Sequence, residues 1–318
     1  MIRIAIAVAA FSLSGSVPAF AFDCAKASTA IDKAICGNDE AKAENGRMEQ
    51  AYGELRGRLD GEGKKLLLDG QRAWVKYRDE RCGTGASCLA EQSGERADAL
   101  KATPAGAAPF FLYQTGVANG YTVKMTGYRF TGDFGKGEAA YNRWLDGLIA
   151  DSPYGDPPEE EEHHPYEWEV DVVMHHLSGR LISAVGWLYN YTGGAHPNSG
   201  SEGFLADRAS AAPLSAKALF GGPGLAMLER DCARQIIETQ SEVYGDVGED
   251  EAIKALEEGY PGTVKETVAE MERWHVDDDG VHIRFDSYAI APYAAGPQEC
   301  LFPLADIRAM AGDSGLFD

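Results

Sequence analysis

Six cysteines, all placed behind an export leader, constrain this chain more than any other feature. The start, MIRIAIAVAAFSLSGSVPAFA, has a cationic Arg3, an apolar run from Ile4 to Leu13 and a small-residue exit at Ala19-Phe20-Ala21. Those are the three parts of a cleavable secretory signal, so residues 1–21 are expected to be removed. The apolar run is much shorter than the ~20 residues that cross a bilayer, which argues against a retained anchor. Cys24, Cys36, Cys82, Cys88, Cys232 and Cys300 then all belong to the exported chain. An even number of cysteines in a periplasmic or secreted protein is expected to form disulfides. Structural zinc is the rival use, but none of these cysteines forms a CxxC pair.

The cysteines cluster unevenly, and that split predicts two domains. Four stand early, in a segment of residues 22–101 small enough to need staples; two stand in residues 113–318, long enough to bury a core alone. The stretch KATPAGAAP is small and rich in Pro and Gly, so residues 102–112 are read as a linker. In the early segment Asn38 can cap a helix carrying Met48, Tyr52, Leu55 and Leu59 on one stripe. A second helical run, about Glu62 to Arg81, places Leu67, Gln71, Trp74 and Arg78 together. Two such helices joined by a short turn form a hairpin, which would return residue 82 to residue 36. Nested pairs, Cys36 with Cys82 and Cys24 with Cys88, are therefore expected, although four cysteines allow three pairings. Trp74 reads as a core residue or an interface anchor. Arg78 and Asp79 are adjacent on a helix and face different ways, so they are expected to hold neighbouring helix ends or a partner rather than each other.

The run FDCAKASTAIDKAIC, the helical QRAWVKYRDERC and the closing Cys88-Leu89 with Arg96 resemble the N-terminal domain of LprI-type lysozyme inhibitors. The resemblance spans about residues 22–101 and implies a small disulfide-stapled α-helical hairpin domain outside the cytoplasm. Gly53, Gly57, Gly61, Gly63 and Gly70 depart from a strong helix-forming pattern, so a less rigid hairpin is expected.

Beyond the linker the pattern changes to strands. Residues 166–176 alternate, with Tyr166, Trp168, Val170 and Val172 on one face and Glu167, Glu169 and Asp171 on a wet one. Residues 180–191 form a second, nearly uncharged strand, and Ser178-Gly179 joins the two as an antiparallel hairpin. Further strands are expected near 121–130, 201–207, 281–285 and 299–302, and helices near 139–150, 216–220, 225–239 and 304–309. The acidic stretch between 245 and 271 is read as one or two short helices. This is an α+β domain with a mainly antiparallel sheet. The blocks WEVDVVMHHLSGRLISAVGWLYNYTGGAHPN, PLSAKALF and DDDGVHIRFDSYAIAPYAAGPQECLFPLADI resemble, in that order, the C-terminal domain of RsiV-type anti-sigma factors and the accessory domain of some peptidoglycan deacetylases. The anti-sigma likeness implies lysozyme binding. Neither a sigma-binding segment nor a deacetylase catalytic domain accompanies it.

Cys232 lies in the helical LERDCARQIIE and Cys300 in the strand QECLF, so their pairing would pin a helix to the sheet. The formal charge of −21 makes nucleic acid a poor partner and a cationic protein such as lysozyme a natural one, unless the acid serves only solubility. Candidate contacts are Trp74, Arg78, the acidic loop Glu159, Glu160, Glu161 and Glu162, and Tyr191 and His196 beside the TGGAH turn. Tyr288 to Gly296 can form an aromatic recognition loop or a packed connection. His163-His164 and His175-His176 bring metal binding to mind, but adjacent strand residues diverge, so no metal or other cofactor is assigned. Asp277, Asp278 and Asp279 lack the spacing of a calcium loop. No GxSxG, HExxH or phosphate loop appears, and a lone His196 makes no catalytic system. A non-catalytic lysozyme-binding or lysozyme-inhibiting envelope protein is the leading expectation. A structural or peptidoglycan-associated module comes second and a cell-wall hydrolase third.

Overall fold

The structure, a computed structural model, describes residues 23–116, 121–155, 166–311 and 315–317. The expected leader, the Glu159–Glu162 run and His163-His164 lie outside the described residues. The chain folds into two compact units, one of residues up to Leu55 with Cys82–Lys101, the other of Arg56–Arg81 with Ala102 onward.

The N-terminal part is helical and disulfide-stapled, as the sequence indicates, with two helices beyond the expected pair. They are α1 (Ala30–Cys36), α2 (Asp39–Arg58), α3 (Gly61–Cys82) and α4 (Ala86–Lys101). Thr29 and Asp32 close a reciprocal capping box on α1, and Asn38 accepts from Ala41 N (2.9 Å) to start α2. In the first unit Arg47 of α2 pairs with Glu44 (2.7 Å) and with Asp98 of α4.

The nested disulfides are not formed. Cys24 bonds Cys36 and Cys82 bonds Cys88, with Cα separations of 5.7 and 5.5 Å. Each staple is local: Cys24 sits on a short turn just before α1, which delivers Cys36 back to it. Cys88 stands in the first turn of α4, where the Gly83-Thr84-Gly85 turn returns it to the end of α3. Arg78 and Asp79 also differ from expectation. The long Arg78 side chain folds back so that Nε and Nη2 both donate to Asp79 Oδ1 (2.9 and 2.7 Å).

The second unit carries β1 (Ala107–Thr115), β2 (Thr122–Phe130), α5 (Lys136–Ala150), β3 (Glu167–Leu177), β4 (Leu181–Tyr191) and β5 (Asn198–Asp207). There follow α6 (Ala216–Thr239), α7 (Ser241–Tyr244), α8 (Glu249–Gly259) and α9 (Thr263–Ala269), then β6 (Trp274–Val276), β7 (Val281–Phe285), β8 (Gln298–Phe302) and α10 (Leu304–Ala311). Residues 107–112, expected in the linker, are part of β1. The first five strands form one sheet in chain order and the last three another. Every neighbouring pair is antiparallel except β2 and β3, which run parallel because α5 makes the crossover between them. The expected hairpin is β3–β4, turning at Ser178.

The two faces of the five-stranded sheet differ. Met125, Val170, Val172, Ile182 and Ala184 bury against Tyr141, Leu145 and Leu148 of α5. Asn142 of the same helix pins the end of β2, accepting from Phe130 N (3.1 Å) and donating to Phe130 O (3.0 Å). On the opposite face α3 covers β1, with Tyr77 against Phe111 and Tyr113 (ring centroids 5.5 and 5.3 Å). Gly70 permits this approach, since a Cβ there would lie 3.0 Å from Phe111 N. One glycine that weakens the helical pattern is thus a packing requirement. At the other edge the three-stranded sheet leans on the same face, where Ser183 Oγ accepts from Val276 N (2.8 Å). Behind it Trp274, Ile283, Phe285 and Phe302 form a second core with Leu228, Ile236, Leu256 and Val268. The Cys232–Cys300 disulfide joins α6 to β8 inside this core, the pairing expected from the sequence.

Candidate functional site

Between α3 at one edge and the small sheet at the other, the described residues leave part of the second face of the five-stranded sheet uncovered. Strand alternation decides what it presents. The register places Glu167, Glu169 and Asp171 of β3 opposite Tyr191, Tyr189 and Trp187 of β4. On the other side they lie opposite Thr122, Lys124 and Thr126 of β2. The result is a row of three carboxylates flanked by a row of three aromatic rings. Trp187 is 37% and Tyr189 36% exposed, high values for such large side chains. Lys124 holds Glu169 at 2.7 Å, and Thr126 donates to Asp171. Tyr189 titrates above the ordinary phenol range through desolvation and then through the neighbouring Glu167 charge, so the ring stays a neutral donor.

His196 and the Tyr288–Gly296 segment meet at one end of this face. Tyr191 donates to Gly194 O (3.2 Å), within a turn where Gly193 and Gly194 adopt φ of 89° and 115°. His196 stacks on Tyr293 (3.9 Å between centroids, planes 17° apart), with its Nε2 3.0 Å from the Tyr288 hydroxyl. Tyr293 in turn donates to Pro197 O (3.0 Å). Tyr288 is 55% exposed and holds a φ of 71°, a conformation rarely taken by a non-glycine residue. The segment is therefore both a packed connection through Tyr293 and an exposed aromatic through Tyr288. The other sequence candidates are placed differently. Trp74 and Arg78 are buried, with the Arg78 guanidinium 5.1 Å from the Trp74 ring centre, so neither offers a surface to a partner.

A second cluster lies where the small sheet meets β3 and β4. A β-bulge between Met174 and His176 leaves His175 as the unpaired residue of β3, on the face that Asp171 and Trp187 share. His175 packs on His275 (4.3 Å between centroids), which stacks on His282 (4.3 Å, planes 11° apart). Trp187 stands edge-on to His175 and His275, and its ring lies 5.5 Å from the Arg284 guanidinium. His282 is held by two carboxylates, Asp277 Oδ1 on Nε2 and Glu299 Oε1 on Nδ1, both at 3.0 Å. These bonds, the Glu299 one foremost, raise its pKa. Burial, then the neighbouring histidines, pushes His275 down to about 3, and burial lowers His175. Two sets of donors are close enough to surround a cation: His175, His275 and Asp277, and His275, His282 and Glu299.

Sequence reasoning passed over this cluster. One signal was present: in WHVDDDGVHI the acidic turn makes a hairpin whose register sets His275 directly opposite His282. The packing of β3 against the small sheet, which brings His175 to this pair, leaves no such trace.

Two family models match parts of the chain, and the β3–β4 face lies outside both. Residues 24–100 match the family model described as Lysozyme inhibitor LprI, and residues 224–305 match the one described as Protein of unknown function (DUF3298). No curated protein matches the chain. A crystal structure of a DUF3298 family member from Bacteroides fragilis NCTC 9343 is 18% identical, covering 66% of this chain and 95% of that one at a TM-score of 0.46. A DUF3298 family protein from Pseudomonas aeruginosa PAO1 is 15% identical over the same shares, with a TM-score of 0.45. The chain thus joins an LprI-like N-terminal segment to a C-terminal one similar to DUF3298, and the matches are not specifically to RsiV-type factors or deacetylases.

Proposed function

We propose that this chain is an exported, non-catalytic envelope protein that captures a cationic lysozyme on the open face of its five-stranded sheet. The observation that carries the reading is the row Glu167, Glu169 and Asp171 set against Tyr191, Tyr189 and Trp187. Carboxylates beside exposed, rigid aromatic rings suit the arginine and lysine side chains of a basic protein, by charge and by cation–π contact. The lysozyme-inhibitor description of the N-terminal match supports the choice of partner. The leader expected at residues 1–21 and the three disulfides support an oxidising compartment, periplasmic or secreted. In the domain scheme that goes with this reading, residues 22–101 correspond to the LprI-like module, and the module that holds the partner has its sheet from β1, at Ala107, onward.

Binding kinetics with lysozyme across a salt series test the proposal. Trp187→Ala should chiefly speed dissociation, because a central aromatic anchor is lost. Replacing Glu159–Glu162 by glutamine should slow association at low salt and leave dissociation nearly unchanged, and the effect should fade as salt shortens the screening length. Absence of lysozyme binding at low salt refutes the reading. Retention on purified peptidoglycan without lysozyme binding would favour the wall-associated alternative, for which the same rings could stack on sugars. Clearing of a cell-wall suspension by the protein alone would make it a hydrolase.

A further inference from the structure

The histidine cluster under Trp187 is not needed for partner capture, and its construction is unusual for a core. His175 Nε2 is buried with no hydrogen-bond partner among the described residues. Such a nitrogen is unfavourable unless something takes its lone pair or proton. We propose that His175, His275 and Asp277 form a binding site for one divalent transition-metal ion of the zinc class, tying the large sheet to the small one.

The donors come from three places. His175 stands on the β3 bulge, His275 on β6, and Asp277 immediately after β6. Their candidate ligand atoms lie within 4.8 Å of one another. A tetrahedral zinc shell with bonds near 2.1 Å needs edges of about 3.4 Å, so side-chain rotations of about an ångström close it. Two imidazoles and one carboxylate suit zinc, nickel or copper better than calcium or magnesium, which prefer oxygen alone. Three protein ligands leave a fourth position for water.

An outer shell is already in place. Asp277 Oδ1 accepts from Asp279 N (2.9 Å) and Gly280 N (3.1 Å) and meets His282 Nε2 at 3.0 Å, which fixes the carboxylate while Oδ2 makes none of these contacts. His282 is tied on its other side to Glu299, the kind of support that orients ligands in metal sites. Arg284 is the competitor, since its Nη1 donates to His275 Nδ1 (3.1 Å). A ligand role for His275 exchanges that hydrogen bond for the ion. Arg284 keeps its bonds to Glu272 O (2.9 Å) and Ser201 Oγ (3.2 Å) and its place over Trp187. The two carboxylates, Asp277 and Glu299, offset the Arg284 guanidinium and a proton on His282, which lies between them.

Calorimetric titration of the mature, chelator-treated protein with Zn²⁺ tests the site. One equivalent should bind. His175→Phe and Asp277→Asn, checked for folding by circular dichroism, should each weaken binding by more than the ~10–100-fold that loss of an outer-shell group costs. His176→Ala, beside the bulge, should leave it unchanged. In the wild-type chain Zn²⁺ should shift the imidazole nitrogen resonances of His175 and His275 and spare those of His196, a readout that needs no variant to fold. No saturable Zn²⁺ binding overturns the proposal. So does binding that survives His175→Phe, which would move the ion to His275, His282 and Glu299.

Discussion

Removing the three disulfides one at a time should destabilise the protein in the order of the loops they close. Cys232 and Cys300 are 68 residues apart, Cys24 and Cys36 are 12, and Cys82 and Cys88 are 6. In the chain-entropy account a cross-link acts by restricting the unfolded chain, and the effect grows with the logarithm of loop length. That gives about 4 kcal/mol for the longest loop, about 3 for the middle one and about 2 for the shortest. Packing pushes the same way: Cys232 and Cys300 are fully buried, whereas the four N-terminal cysteines are partly exposed. Replacing each pair by alanines and following urea unfolding through tryptophan fluorescence measures the three losses as midpoint shifts scaled by the slope. Trp274, fully buried in the same core as Cys232 and Cys300, reports on the longest loop. If the variant lacking Cys232 and Cys300 loses no more than the one lacking Cys82 and Cys88, the loop-entropy reasoning fails. Recovery of a Cys36–Cys82 peptide from the oxidised wild type would refute the local pairing itself.

Two further outcomes follow from single side chains. Asn142→Ala should cost about 2–4 kcal/mol, because the amide and the carbonyl of Phe130 both lose a buried partner; thermal unfolding checks this, and a loss under about 1 kcal/mol would show that water replaces the side chain. Asp207 accepts from Ser210 N (2.8 Å) and Oγ (2.9 Å) and pairs with Arg180, and the Ser210 backbone bond foremost holds its carboxyl below the usual carboxylate range. A depressed folded-state pKa stabilises above the unfolded value and is lost as pH falls through the folded one, so the stability difference from Asp207→Asn should be full near neutrality and close in acid. A difference that stays constant from about pH 6 to pH 2 would show that shape, not charge, matters there.

How far the fold could be read from the sequence depended on how local its causes are. The β3–β4 hairpin was legible because Trp168, Val170 and Val172 alternate with Glu167, Glu169 and Asp171 around a Ser-Gly turn, and both the period and the turn act over a few residues. The break in α6 was equally legible: Gly221-Gly222-Pro223 separates two helical runs, and Gly221 takes a φ of 63°. β1 was missed because its first five residues, Ala107 to Phe111, are all buried and show no alternation, and the preceding Pro and Gly read as linker. β6 is three residues long, too short for any period to register.

The candidate sites divide in the same way. The carboxylate row was visible because one strand supplies it, and Tyr191 and His196 were visible because a glycine turn marks them. What the sequence could not show is that β4 lays Trp187, Tyr189 and Tyr191 alongside that row, since register between strands is a tertiary fact. The same limit explains Trp74 and Arg78. Their helical spacing was right, but which face of α3 is covered is a tertiary fact, and Gly70, which helix propensity alone reads as a weakness, is what lets α3 approach β1. The histidine cluster needs both kinds of information at once. Its hairpin half, His275 opposite His282 across DDDG, is local and could have been read; its other half depends on β3 meeting the small sheet, which sets His175 against a ring a hundred positions away. The meeting of two sheets leaves no trace in the pattern of either strand, so a site built across one is hidden from pattern reading even when every residue of it is in plain view.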